Sequence, residues 1–116
     1  MFDYSQLVND MKIEVRGVYN DSNTICLSID ENTELKLYDI FGTGNTINIQ
    51  LDLKEELDKL GLNELVNKYV GSFIDESILH NINKEIYRFM EINKYEIYNK
   101  FQLILFSYNP MERYFY

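Results

Sequence analysis

The chain has 116 residues, 46% hydrophobic and 26% charged, with a formal net charge of −8. That is the size and make-up of one globular domain spanning residues 1–116, not of a disordered segment, and the charge disfavours non-specific binding to nucleic acid or anionic lipid. A single Cys26, no basic start with an apolar run in residues 1–20, and no apolar stretch near the ~20 residues of a membrane span predict a cytoplasmic protein without an internal disulfide.

Residues 2–11 read as a short helix, with Leu7, Val8 and Met11 on one face. The period then changes to two. Ile13 and Val15 alternate with polar residues in 12–19, Ile25, Leu27 and Ile29 in 24–30, Leu35 and Leu37 in 34–40, and Ile47, Ile49 and Leu51 in 46–52. Alternation of this kind describes strands with one dry and one wet face. The connectors at 20–23, 31–33 and 41–45 are short and rich in turn formers, which predicts a four-stranded antiparallel meander.

At Asp52 the helical period returns. Asp52 caps a predicted helix with Glu55 as capping-box partner, and Leu53, Leu57 and Leu60 form its stripe up to Gly61. Asn63 opens a second short helix carrying Leu65, Val66, Tyr69 and Val70. A longer helix over 75–93 carries Ile78, Ile82, Ile86, Phe89 and Met90 on one face. Residues 95–108 are apolar on alternating sides of both faces, which predicts a buried fifth strand in the second half; a helix continued to Lys100 is the competing reading. Asn109 and Pro110 then turn the chain into an aromatic tail. The predicted fold class is α+β: two layers, a mostly antiparallel sheet with helices on one face.

The chemistry-bearing residues form no catalytic set. His80 and Glu76 lie one helical turn apart, but zinc takes three or four ligands, so neither a metal nor a cofactor is expected. Cys26 sits mid-strand with no local base to activate it. The Gly42–Gly44 segment lies between two predicted strands, so a hairpin turn is expected rather than a phosphate loop. Adjacent carboxylates such as Glu55 and Glu56 or Asp75 and Glu76 occupy helix starts, where acids suit the dipole. Basic residues among the late aromatics are too few for direct nucleic-acid binding. The chain is read as non-enzymatic.

Charge and aromatics are unevenly spread. Residues 1–80 hold 15 Asp and Glu against 6 Lys and Arg, and ten of the seventeen Tyr and Phe lie in 87–116. An acidic surface is expected at Glu14, Asp21, Asp30, Glu31, Glu34, Asp39, Glu55 and Glu56, displayed by a stiff scaffold. It would accept Arg and Lys of a nuclease- or toxin-like protein in place of phosphates. This predicts a small acidic inhibitor or immunity factor that occupies the basic nucleic-acid-binding surface of its partner, and the plan is loosely similar to some small anti-CRISPR and immunity proteins. The absence of Ala and Trp, with thirteen Ile and thirteen Asn, fits AT-rich codons such as those of a Firmicute or its phage, and the expected binder is then phage-borne and directed at a host defence nuclease. Two alternatives are a ligand-binding or enzymatic domain with a cleft between sheet and helices, and a homo-oligomeric phage structural or regulatory protein. Tyr108, Tyr114, Phe115 and Tyr116 are expected to fold back and close the core; exposed, they form an aromatic interface and the route to a homodimer.

Overall fold

The computed structural model describes residues 4–19 and 24–108. Their order is α1 (Ser5–Asp10), β1 (Ile13–Tyr19), β2 (Thr24–Ile29), α2 (Glu31–Phe41), α3 (Thr43–Lys59), α4 (Leu62–Asn67), α5 (Glu76–Ile92) and α6 (Lys94–Ser107). The described residues are mostly helical, with one two-stranded antiparallel sheet. The expected α+β plan of a four-stranded meander plus a late fifth strand is overturned. Residues 34–40 lie in α2, 46–52 in α3, and the expected last strand in α6.

The reason is visible in what each helix buries. In α2 the buried residues are Thr33, Leu37 and Phe41, spaced by four, while Leu35 is 54% exposed. Asp30 sets the start: its carboxylate accepts hydrogen bonds from the Thr33 amide (3.2 Å) and hydroxyl (2.8 Å). Glu31 and Glu34 add negative charge to the first turn, where the helix dipole favours it. In α3 the buried line is Thr46, Ile49, Leu53 and Leu57, again a helical spacing. Thr46 is polar and escapes a count of apolar residues, yet it is fully buried, its hydroxyl donating to the Gly42 carbonyl at 2.7 Å. Asp52 therefore lies within α3 and caps nothing, and the chain enters α4 through Gly61 rather than Asn63. In α6 Ile97, Phe101 and Leu105 face inward, while Tyr95 and Leu103 stand in solvent.

Gly42 alone separates α2 from α3. Its φ of 83° with ψ of 169° is a conformation essentially confined to glycine. A Cβ there meets nothing within 4 Å, so the obstacle to substitution is the backbone itself. Gly42→Ala is expected to lower the unfolding free energy by about 1–3 kcal/mol. Urea melts of the two proteins check this; an unchanged midpoint would contradict the helix junction described.

The long helix predicted over 75–93 is α5. Asp75 caps it by accepting from the Ile78 amide at 2.9 Å, and Ile82, Ile86 and Phe89 are buried. The hairpin of β1 and β2 also stands where alternation puts it, with Ile13 opposite Ile29 and Val15 opposite Leu27; Arg16 is an extra residue that bulges β1.

The core follows from these faces. α3 packs across α2, α4 and α6; α6 also meets α1; α5 packs against β1 and α4. Tyr4 closes one end, its ring 5.6 Å from Phe41 and 5.4 Å from Phe106 between centroids. The molecule measures 52 × 28 × 22 Å, with a radius of gyration of 15.4 Å. A compact chain of this length has about 13 Å, so the fold is elongated. Among the described residues no helix is long and apolar enough to cross a membrane.

Candidate functional site

A cleft of about 520 Å³ opens between the hairpin and α3. Its strand wall is made by Ile25, Cys26, Leu27, Ser28 and Ile29 of β2, with Ile13 and Arg16 of β1. Ile13, Ile25, Leu27 and Ile29 share one face of the hairpin while Cys26 and Ser28 point to the other, so the cleft meets that face together with the outer edge of β2. β1 has α5 packed beside it, whereas the one extensive packing partner of β2 among the described elements is β1. The outer edge of β2 therefore borders the cleft, with no further strand paired to it among the described residues.

The facing wall is α3, which presents Ile47, Gln50, Leu51, Lys54 and Asp58. Residues three and four apart on a helix are surface neighbours, so these form one continuous stripe. Ile47 is 51% and Leu51 59% exposed, beside the buried stripe of the same helix. Leu53, Leu57 and Leu62 close the floor. At one end Arg16 crosses toward α2. Its guanidinium lies 3.4 Å from a Glu34 carboxylate oxygen, and its other terminal nitrogen donates to the Ile29 carbonyl at 3.4 Å. The cleft thus has apolar walls, a main-chain edge along one side, and charges of both signs at its rim.

The expected acidic residues separate into groups. Glu14, Glu31, Asp39 and Glu55 are exposed and have no ion pair among the described residues. Glu34 faces Arg16, and Glu56 stands between Lys59 (3.4 Å) and Lys100 (3.8 Å). Asp30 points inward as a cap and also accepts from the Lys12 amide at 2.8 Å. Asp21, Tyr114, Phe115 and Tyr116 lie outside the described residues. Tyr108 is half-buried at the end of α6, and its hydroxyl donates to Asp52 at 2.7 Å. That hydrogen bond to Asp52, with partial burial, raises the Tyr108 pKa. A second polar cluster joins the end of α4 to α5. Lys68 meets one Glu85 oxygen at 2.6 Å and the Tyr69 hydroxyl donates to the other, so Glu85 is held below its usual range.

Burial works to raise the Asp30 pKa, but the Lys12 amide and the Thr33 hydroxyl and amide outweigh it and lower the net value. A depressed folded value means stabilisation that is complete above the unfolded value, about 3.9, and is lost as pH falls through the folded one. Asp30→Ala is expected to cost about 0.5–2 kcal/mol at neutral pH. The gap to wild type should then narrow in urea melts taken well below pH ~4. A gap independent of pH would contradict the ionised cap.

His80 is exposed on α5, and no group of three His, Cys, Asp or Glu able to hold a metal occurs among the described residues. Cys26 is half-buried in the β2 wall. The cleft residues Ile47 and Leu51 were legible only as strand positions, because their exposure depends on α3 being a helix. Compared with known protein families, curated proteins and solved structures, the chain matches none.

Proposed function

We propose that the chain is a non-enzymatic protein-binding domain, an inhibitor or immunity-type factor, that takes an apolar segment of a basic partner into the cleft between β2 and α3. The observation that carries this reading is the pair Ile47 and Leu51, standing in solvent on a rigid helix across an open cleft from an uncovered strand. Burying such a side chain contributes about 1.5–3 kcal/mol, which association can use because folding does not. The net charge of −8 and the unpaired Glu14, Glu31, Asp39 and Glu55 favour a partner rich in Lys and Arg and would speed its approach. Nucleic-acid-handling proteins such as nucleases carry surfaces of that kind, which is the support for the narrower, anti-defence form of the proposal.

Site-specific photo-crosslinking tests it, with the crosslinker replacing Ile47 in cells of the native source. The expected product is a Lys- and Arg-rich polypeptide joined through an apolar segment, whose complex weakens as salt shortens the Debye length from about 10 Å to about 3 Å. Crosslinks only to acidic proteins, or a complex indifferent to salt, would overturn the reading. The cleft volume favours a second reading, because it falls in the range of about 300–1,000 Å³ typical of small-ligand sites. In that case native mass spectrometry of the protein from its source finds an apolar small molecule, and Ile47 crosslinks to no polypeptide.

A further inference from the structure

The proposed partner segment has a definite binding mode available to it, and this inference rests on the reading of the cleft as a protein-binding site. The Asp30 amide donates to the Lys12 carbonyl at 2.9 Å, which makes residues 12 and 30 a hydrogen-bonded pair. In an antiparallel ladder such pairs alternate with pairs whose main-chain groups turn outward. Ser28, opposite Glu14, and Cys26, opposite Gly17, therefore direct their amides and carbonyls to β1. Leu27 and Ile25 direct theirs away from it, toward the cleft. The bulge at Arg16 adds its residue to β1 and leaves the alternation along β2 intact. No hydrogen-bond partner meets the main-chain groups of Ile25 or Leu27 on that side among the described residues. The Ile29 carbonyl is already occupied by the Ser28 hydroxyl at 2.9 Å and by Arg16.

A bare strand edge is a template for another strand, and folded proteins ordinarily cover, charge or shorten it. Here the edge is bordered instead, at a distance, by a helix stripe in which Ile47 and Leu51 stand beside Gln50, Lys54 and Asp58. We propose that β2 receives an extended segment of the partner as a third strand, hydrogen-bonded to the main chain of Ile25 and Leu27, with its side chains on one face lying against Ile47 and Leu51 of α3. The occupant is an extended stretch of about five or six residues, matching the length of β2, apolar at alternate positions and with Lys or Arg between or beside them. The basic residues are favoured by the net charge of −8 and by carboxylates at and near the cleft, Asp58 on its wall and Glu31 and Glu55 beside it, unpaired among the described residues. Repulsion from Lys54 and Arg16 places them away from the α3 wall's own cation and from the Glu34 end. The apolar ones are required by Ile47 and Leu51. The ladder ends at Ile29, where Arg16 already fills the acceptor.

The test uses the full chain and a soluble peptide of about seven residues alternating lysine and valine. Two further peptides carry N-methyl groups on alternate amides, one in each phase. N-methylation removes donors from one edge of an extended peptide while leaving every side chain in place. The alternating peptide is expected to shift the amide resonances of Ile25, Leu27 and Leu51. One methylation phase should weaken binding by roughly tenfold and the other by less than about twofold, because only one edge faces β2. Equal sensitivity to both phases, with shifts still centred on the cleft, overturns strand addition and leaves the cleft as a side-chain binding site. No binding, or shifts confined to carboxylates outside the cleft, overturns both proposals.

Discussion

Truncating Phe101 to alanine lowers the unfolding free energy by about 3–5 kcal/mol, the range for removing a fully buried aromatic ring. Phe101 is 0% exposed and sits in the middle of the α6 stripe between Ile97 and Leu105, on the helix that packs across α3 and α1. The loss combines the transfer of the ring with the cavity left behind. Neighbours drawn from three helices relax only partly into such a space. A domain of this size has a total stability of about 5–15 kcal/mol, so the variant approaches the margin of folding. Urea melts measure the effect. As a control, Leu103→Ala, two residues away but 65% exposed, should change stability by no more than about 0.5 kcal/mol. The contrast also checks the helical register. In the strand predicted from alternation, Phe101, Leu103 and Leu105 share one face and the two truncations would cost alike.

The second large effect is on binding rather than stability. Replacing Ile47 and Leu51 together with glutamine should weaken the complex with the lysine–valine peptide by about 10- to 100-fold. Both residues are more than half exposed, and glutamine keeps the helix propensity without adding charge. The melting curve should therefore stay close to that of the native chain, within about 0.5 kcal/mol per site. Fluorescence anisotropy and circular dichroism read the two quantities. Undiminished affinity would remove the α3 stripe from the site.

α5 was legible in the sequence because its apolar residues fall at a single helical spacing and Asp75 stands ready to cap them. The hairpin was legible because turn formers at 20–23 separate Ile13 and Val15 from Ile25, Leu27 and Ile29, each set alternating with more polar residues. α2 and α3 were not. Their apolar residues satisfy both periods at once: Ile47, Ile49 and Leu51 alternate, while Ile49, Leu53 and Leu57 run along a helix. Thr46 completes the helical line but is polar, and the many β-branched residues there favour a strand by propensity alone. Burial against α6 decides for the helix, as tertiary packing often does over weak intrinsic preference. Asp30, followed by Glu31 and Glu34 at a first turn, was the signal that distinguishes the two readings in α2.

The same ambiguity hid the candidate site. Read as strand residues, Ile47 and Leu51 belong to the core face and have nothing to say about a partner. Read on α3, they lie off the buried stripe and are apolar without a structural reason. The acidic residues were legible individually, but not their separate situations. A cap such as Asp30 and a paired Glu34 or Glu56 can be distinguished from the unpaired Glu31 only once α2 and α3 are folded against the hairpin and α6.

Strand addition requires an edge of β2 that carries no hydrogen bonds in the free protein. Residue-resolved amide hydrogen exchange measures it directly. Cys26 and Ser28, which face β1, should exchange slowly, while Leu27 and Ile25 should exchange near the rate of an unstructured chain. Equal, strong protection of all four amides would mean that the edge is already occupied, and the cleft could not then receive a strand from a partner.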